Sequence, residues 1–323
     1  MVTLGAGQFL MGYLSDRTGR RKIFIVFGLL CLSVSFYLVG ISESYTELII
    51  WNLMVGLGLS VYHPVSVSLI SQIHKQKKGK ALGIHGAGGN LGMALFPLIA
   101  GVLAELYGWR SVFKVFPIMG FIIGVLFLFL VKEKPAAKKR VTIKNLFYRR
   151  IAIVVITLGF VSMAARGLHI FLPLKLSDLG YSSASFGLFL SLFNGFGVIG
   201  QVLGGYFSDL HEKTRMVAIL SVISGIFMYI LLYASGFVTM LLFVVVAGLL
   251  FNSIWPTLFG LLTDRTPAQL HGTGLGLFFS GGYTMASASP VLMGIITDLS
   301  SMQISFVLVP VFAFIAACVI LRK

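Results

Sequence analysis

The chain of 323 residues is 57% hydrophobic, carries charged side chains at only 11% of its positions and has a mean hydropathy of +0.97. Such a composition provides too little polar surface to cover a water-soluble globule of this length. It therefore predicts a protein embedded in a lipid bilayer. The formal net charge of +15 would suit a nucleic-acid-binding protein only if the basic residues shared one soluble surface. They lie instead in short loops between apolar runs, which excludes that class. Cys31 and Cys318 lie inside apolar runs, so we predict neither a disulfide nor a metal site.

Ten apolar runs are long enough to cross a bilayer, which takes about 20 helical residues at a rise of 1.5 Å per residue. In chain order they are 22–41, 46–73, 79–107, 111–131, 151–176, 183–209, 214–235, 237–263, 270–298 and 303–321. The opening run, 2–15, would cover only about 21 Å of a hydrocarbon layer of about 30 Å. We expect it to be a clipped helix.

The basic residues divide unequally between the two ends of these spans. When the loops are assigned alternately to the two sides of the membrane, 21 of the 25 Lys and Arg residues fall on one side. Three fall on the other, namely Arg110, Lys114 and Lys175, and Arg166 remains deep inside a span. Because cytoplasmic loops carry the excess of Lys and Arg, the pattern predicts a multi-pass protein of the cell membrane with a cytoplasmic C-terminus.

One charged turn occurs twice in the chain. The sequence GYLSDRTGRRK at 12–22 returns as GYFSDLHEKTR at 205–215, an offset of 193 residues. The same offset pairs further polar, glycine and proline residues: Gln8 with Gln201, Asp16 with Asp209, Gly83 with Gly276 and Pro97 with Pro290. Such a duplication predicts two tandem halves. We place them at 1–131 and 151–323, joined by a basic cytoplasmic linker at 132–150. Because the second half has six spans and the first only five, we expect one more helix before Met1.

The first turn, Gly12-x3-Asp16-Arg17-x-Gly19-Arg20-Arg21, resembles the signature loop between the second and third helices of the major facilitator superfamily. Its second copy is similar to the loop between helices eight and nine of that family. The resemblance implies an all-α membrane protein with the major facilitator fold, in which two pseudo-symmetric helical bundles surround a central cavity. On this basis 11 of the 12 transmembrane helices are present. The resemblance further implies transport by alternating access.

The residues of the repeated turn are candidates for a conformational latch, because in the resembling family this carboxylate holds the two bundles in one state. A carboxylate at the end of one helix can face the positive N-terminal end of another. We therefore expect Asp16 near the start of the span at 271–272, and Asp209 near the start at 78–79. The alternative is a generic positively charged cytoplasmic loop. The predicted latch residues are Gly12, Asp16, Arg17, Gly19, Arg20, Arg21 and Asp209.

The run at 79–101, GKALGIHGAGGNLGMALFPLIAG, is rich in glycine. In lipid, small residues let helices pack backbone to backbone, so the run predicts a helix-packing hinge. Its residues are Gly83, Gly92, Pro97 and Gly101. Together with Tyr62-His63-Pro64, the run resembles the fosmidomycin-resistance-type exporters of the superfamily.

Arg166 and three histidines are candidates for the substrate or proton pathway. Arg166 lies 15 residues, roughly 22 Å, from the start of its span, with His169 one turn further on the same face. An intramembrane arginine costs at least about 2.5–3.5 kcal/mol unless it faces a cavity or a partner. Arg166 is therefore expected to bind an anionic substrate or a coupling carboxylate, the alternative being that it extends toward the outer headgroups.

His63 and His85 titrate near physiological pH and are expected in the cytoplasmic half of consecutive helices, where they could share a proton. The alternative is that they are packed, hydrogen-bonded histidines. The remaining candidates are polar side chains expected to line the cavity or to bond between helices. They are Asn90, Asn194, Asn252 and Trp255.

These features predict a secondary transporter that moves a small organic solute by alternating access, outward in exchange for protons. A proton-coupled importer of an organic anion or a uniporter is the second interpretation, and a transporter-like receptor that binds without transport is the third. We predict no catalytic residues, because no nucleophile and base or metal-ligand set occurs at workable spacing. We predict no cofactor, and the chain has no ATP-binding Walker A sequence. The expected partners are a small-molecule substrate, protons and the lipid bilayer, with no nucleic acid, and the expected state is a monomer.

Overall fold

The computed structural model describes residues 2–73, 78–133, 149–265 and 271–322, and within these ranges the chain is almost entirely α-helical and contains no β-strand. The helices are α1 (Val2–Thr18), α2 (Arg21–Ile41), α3 (Tyr45–Ile73), α4 (Lys78–Tyr107), α5 (Trp109–Leu130), α6 (Arg149–Asp178), α7 (Ser183–Leu210), α8 (Lys213–Tyr233), α9 (Phe237–Asn252), α10 (Ile254–Arg265), α11 (His271–Leu299), α12 (Met302–Phe306) and α13 (Leu308–Ile320). Ser253 alone separates α9 from α10, and Val307 alone separates α12 from α13. Each pair therefore continues as one rod, that is, as a single span with one interruption.

Each of the ten predicted spans coincides with a helix, or with one of the two paired rods, to within two residues at either end. In the described ranges nine helices are long and apolar enough to cross a membrane. The α11 helix has 29 residues but is not among the nine, because serine, threonine and glycine interrupt its apolar sequence. The prediction of an all-α fold is confirmed, and α6 begins at Arg149, inside the segment predicted to be a linker.

Helix packing divides the chain into two compact units. The described part of unit 1 comprises residues 2–73, 78–88, 103–133 and 275–284, and that of unit 2 comprises 89–102, 149–265, 271–274 and 285–322. Both α4 and α11 thus contribute residues to each unit. The predicted division at 131 and 151 follows the sequence repeat rather than these packing units, and it stays a prediction.

Unit 1 is organised around α2, which packs against α3 and α5, while α1 packs against α3. A Cβ at Gly58 would lie 2.9 Å from the backbone nitrogen of Leu32, and one at Gly28 would lie 3.0 Å from the carbonyl oxygen of Gly58. Small residues here let α2 and α3 approach at backbone distance, which is how helices associate in lipid without a hydrophobic driving force. Buried aliphatic residues continue the contact: Ile25, Val61, Val65 and Leu69.

The N-terminus of α2 is capped from a distant part of the chain. The two carboxylate oxygens of Glu133, just after α5, accept the backbone N–H groups of Arg21 at 2.8 Å and Lys22 at 2.9 Å. This satisfies two of the amides that a helix leaves unpaired at its start and places a negative charge at the positive end of its dipole. Arg21 also donates through Nη1 to Oε1 of Gln72 in α3. The first charged turn is therefore tied to the ends of α3 and α5.

In unit 2, α6 is the most buried helix, and it packs against α13 and α7. The α7 and α9 helices meet at backbone distance. A Cβ at Gly200 would overlap the carbonyl oxygen of Leu249, and one at Gly204 would lie 2.5 Å from the carbonyl oxygen of Ser253. Ser253 strengthens this contact, because its hydroxyl donates to the carbonyl oxygen of Gly200 at 2.7 Å.

The glycine-rich α4 helix is closely packed only along part of its length. In unit 2 a Cβ at Gly101 would lie 3.1 Å from Cα of Gly187 in α7, and one at Gly187 would overlap the carbonyl oxygen of Pro97. At Gly92 the nearest atoms belong to a ring of α4 itself, and the surroundings of Gly83 lie outside the described side chains. Three further glycines of this run have no described atom within 4 Å of a built Cβ: Gly86, Gly88 and Gly89.

Candidate functional site

Arg166 lies inside α6 and is half-buried. Its Nε atom is buried without a hydrogen-bond partner. Across the described residues, no carboxylate or other group forms a hydrogen bond or an ion pair with this guanidinium. A guanidinium carries five N–H donors and stays charged, so Arg166 presents unused donors and an uncompensated positive charge within a span.

His169 lies one turn after Arg166 and is held by neighbouring groups. Its Nδ1 atom is 2.7 Å from the carbonyl oxygen of Ala165. A carbonyl can only accept, so Nδ1 donates. The side chain of Asn194 in α7 is a further hydrogen-bond partner, and the edge of the Phe193 ring packs against the imidazole at a centroid distance of 5.5 Å. The structure thus brings His169 of α6 against Asn194 of α7, and Arg166 lies one turn before His169 on α6.

The other predicted asparagines also lie along α7. Asn252 of α9 packs against Gly197 and donates to the carbonyl oxygen of Gly248 at 2.9 Å. Asn90 of α4 donates through Nδ2 to Oε1 of Gln201 at 3.0 Å. Positions 194, 197 and 201 have the spacing of one helix face, so the three asparagines lie along the same face of α7. Trp255 is half-buried in α10 and belongs to none of these hydrogen bonds.

His63 and His85 lie together in unit 1, on either side of Tyr62. The ring of Tyr62 is 5.4 Å from the ring of His63 and 5.4 Å from that of His85, measured between centroids. Nε2 of His85 lies 3.4 Å from the hydroxyl of Ser66. Two side chains that can each carry a proton near neutral pH therefore share one neighbour, on α3 and α4 as the sequence predicted.

Two aromatic residues of α11 complete this cluster and were not predicted. The ring of His63 stacks on Phe279 at 5.3 Å with an angle of 8° between planes, and Tyr283 lies 6.3 Å away at 17°. Phe279 and Tyr283 are four residues apart, the spacing that places two side chains on one helix face. That spacing was the available signal, although the sequence alone does not say which residue the pair would face.

The predicted latch is described only in part. Gly19 has a φ of 68°, which a glycine adopts readily, and this allows the tight turn between α1 and α2. Gly12 lies against Pro64 of α3, with 3.3 Å from a built Cβ to the Cβ of the proline. Arg17 and Arg20 are exposed, as is Asp209 at the end of α7. The side chain of Asp16 and those at 78–79 and 271–272 lie outside the described residues, so the expected pairing of both carboxylates stays a prediction.

Comparisons with known proteins agree on one family. The family model described as the Major Facilitator Superfamily matches residues 1–175 and 154–323. A cis,cis-muconate transport protein of Acinetobacter baylyi is 23% identical over 339 residues, covering 99% of this chain and 82% of the relative. The multidrug resistance protein MdtG of Proteus mirabilis is 36% identical over 131 residues, which are 40% of this chain and 32% of that protein.

A solved structure supports the same fold. It is the crystal structure of a bacterial homologue of the human lysosomal transporter Spinster, in an inward-facing and unoccupied conformation. It superposes with a TM-score of 0.79 at 16% sequence identity, covering 99% of this chain and 89% of the other. Transporters rather than enzymes make up the matched family. The chain is a multi-pass membrane protein and belongs to the Major Facilitator Superfamily of transporters.

Proposed function

We propose that this transporter moves a small organic solute bearing an anionic group, by alternating access and with coupling to protons. The observation that carries the proposal is the guanidinium of Arg166, which makes no hydrogen bond or ion pair with any described residue. A charged side chain within a span is costly, and it is retained where it faces a cavity, a partner or a ligand. Because no described residue balances the charge, a carboxylate or phosphate of the solute is the ligand that fits Arg166 by charge and by the fork geometry of its donors.

The neighbours of Arg166 suit a binding site for such a group. His169 uses Nδ1 for the carbonyl oxygen of Ala165, and Asn194 uses Nδ2 for that of Leu190 at 2.8 Å. Each of these two side chains is therefore oriented by a hydrogen bond to its own helix, and His169 lies one turn from Arg166. A cation with polar neighbours supplies charge attraction together with directional hydrogen bonding.

The relatives support this choice of ligand. Muconate, which the Acinetobacter relative is named for transporting, is a dicarboxylate. We retain outward transport in exchange for protons as the expected direction, which agrees with the multidrug resistance protein that matches part of the chain. Import together with protons is the second candidate, favoured by the anionic ligand that Arg166 suits. We further propose that the protein acts as a monomer in the cell membrane with its C-terminus in the cytoplasm.

The test is uptake of labelled cis,cis-muconate into proteoliposomes by purified wild-type protein and by Arg166→Gln. The substitution removes the charge but keeps a polar side chain of related length. We expect at least a tenfold loss of uptake, because a charge-assisted hydrogen bond to a buried carboxylate contributes about 1.5–3 kcal/mol. Arg166→Lys should retain part of the activity, since it keeps the charge but not the paired donors.

Arg322→Gln is the matched control, because Arg322 is an exposed arginine after α13 and lies outside the repeated turn. It should transport as the wild type does. Full transport by Arg166→Gln would refute the assignment of the anion to Arg166. Binding of muconate without any flux in the wild type would favour the receptor interpretation instead.

A further inference from the structure

We propose that unit 1 holds one anionic phospholipid, with an acyl chain in a groove between α2 and α5 and its phosphate between Arg110 and Lys114. The groove shares no residue with the Arg166 site or with the histidine cluster, so this proposal does not depend on the proposed function.

The groove is apolar and has a volume of about 240 Å³. It is lined by Leu32, Ser33 and Phe36 of α2 and by Val112, Phe113, Phe116, Pro117 and Gly120 of α5. This volume is below the range of roughly 300–1,000 Å³ typical of pockets that enclose a drug-sized ligand. A single flexible hydrocarbon chain therefore fits it better than a compact solute.

The two helices are locked together beside the groove, so the groove is a fixed feature. A Cβ at Gly40 would lie 3.0 Å from the Cβ of Phe113 and 3.2 Å from Cγ of Lys114. The rings of Phe36 and Phe113 stack at 5.5 Å, and Trp109 meets Phe113 edge-on at 5.9 Å. These aromatic rings form one wall that continues from the groove to the start of α5.

Two cations stand at the end of this wall. The guanidinium of Arg110 lies 4.5 Å from the centre of the Trp109 ring and donates one hydrogen bond, 3.1 Å long, to the carbonyl oxygen of Ser42. That contact orients the group and leaves other N–H donors unused. Lys114 is exposed one turn later, with its stem against Gly40. Within the described ranges neither cation forms an ion pair.

Charge complementarity favours an anionic phospholipid over the other possible occupants. Arg110 and Lys114 are two of only three basic residues predicted on their side of the membrane, so this pair is a local concentration of charge rather than part of a general basic surface. A second copy of the chain packed about a twofold axis would bring the same two cations against themselves. A phosphate between them instead compensates both charges, and Trp109 is the first residue of α5, the end of a span where tryptophan is enriched beside headgroups.

The experiment measures which lipid contacts Trp109. Trp51→Phe and Trp255→Phe leave Trp109 as the single tryptophan of the three in the chain. The protein is placed in phosphatidylcholine nanodiscs that contain increasing fractions of chain-brominated phosphatidylglycerol or, separately, chain-brominated phosphatidylcholine. We expect phosphatidylglycerol to quench the fluorescence at a lower fraction. Arg110→Gln and Lys114→Gln should each weaken that preference about fivefold, and high salt should weaken it further.

Two controls keep the result interpretable. Lys175→Gln removes the third cation predicted on that side, whose Nζ donates to carbonyl oxygens of Leu231 and Leu232 in unit 2, and it should leave the preference unchanged. Lys114→Gln keeps the test valid if Arg110→Gln unfolds, because Lys114 holds no hydrogen bond that the structure describes. Equal quenching by both lipids would overturn the proposal, as would a preference that survives both glutamine variants. Absence of quenching by either lipid would also overturn it.

Discussion

At the scale of single residues, the cations of the apolar part of the chain differ in what balances them. Lys175 donates to two carbonyl oxygens at the C-terminal end of α8, where a helix leaves such groups unpaired. Arg110 combines a carbonyl oxygen with the face of Trp109. Arg166 has neither kind of contact among the described residues. The difference is why Arg166, and not either of the others, is assigned to the solute.

His63 and His85 give a prediction about proton coupling. His63→Gln and His85→Gln each remove a group that can carry a proton near neutral pH while keeping a polar side chain. Because the two rings share Tyr62 as a neighbour, we expect either variant to exchange labelled solute across the membrane but to lose at least tenfold in accumulation driven by a pH gradient. Counterflow and gradient-driven uptake are measured on the same proteoliposomes. His211→Gln, which changes an exposed histidine after α7, is the control, and unchanged accumulation in both cluster variants would contradict the assignment.

Sequence reasoning named as candidates the residues whose chemistry conflicts with lipid, and it did not name the aromatic residues that stack on one of them. Arg166 and His169 are recognisable in the sequence because an ionisable side chain inside an apolar span is energetically costly and usually has a function. Phe279 and Tyr283 do not differ in this way from the apolar residues around them, since aromatic residues are common in membrane spans. Their importance comes from stacking on His63, more than 200 residues away in the chain. No local pattern carries that information, because it arises only when distant helices pack.

At the scale of helices, the spans could be predicted closely because the bilayer leaves few choices. Backbone groups in lipid must bond within their own helix, so an apolar run of sufficient length fixes both the type and the extent of the element. The contacts between helices were predicted less well. Of the predicted hinge residues of α4, Pro97 and Gly101 lie against Gly187 of α7, whereas the atoms nearest to Gly92 belong to α4 itself. Glycine content alone does not show which face of a helix meets a neighbour.

Two glycines of α7 therefore predict opposite effects of the same substitution. A methyl group at Gly200 would overlap the backbone carbonyl of Leu249, which no side-chain movement can relieve, whereas one at Gly205 would lie 3.9 Å from Pro256. We expect Gly200→Ala to destabilise the protein by about 1–3 kcal/mol through overpacking. Gly205→Ala should be neutral or stabilising by up to about 1 kcal/mol, because alanine favours helix. Thermal unfolding followed by size-exclusion chromatography in detergent measures both, and equal melting temperatures would show that α7 and α9 are not in backbone contact.

At the scale of the whole molecule, the sequence repeat does not give its members equal surroundings. Gln8 and Gln201 are separated by the repeat offset of 193 residues. Gln201 accepts a hydrogen bond from Asn90, whereas Gln8 is buried with neither side-chain polar atom paired. A duplicated chain whose halves were equivalent in every contact would have no reason for this difference. We infer that the two packing units hold different candidate sites, with the proposed anion site in unit 2 and the histidine cluster in unit 1.

The direction of coupling is a property of the whole transporter. A pH gradient across the membrane shows whether solute and protons move in the same direction or in opposite directions. If the solute leaves the cell in exchange for protons, proteoliposomes with an acidic lumen will accumulate labelled muconate, because outward proton flow then drives solute inward. If solute and proton move together, only vesicles with an alkaline lumen will accumulate it. We expect accumulation with the acidic lumen, abolished by nigericin, which collapses the gradient, and absent in Arg166→Gln under either gradient. Accumulation confined to the alkaline lumen would replace export with import while leaving the anion site intact, and equal uptake under both gradients would identify a uniporter.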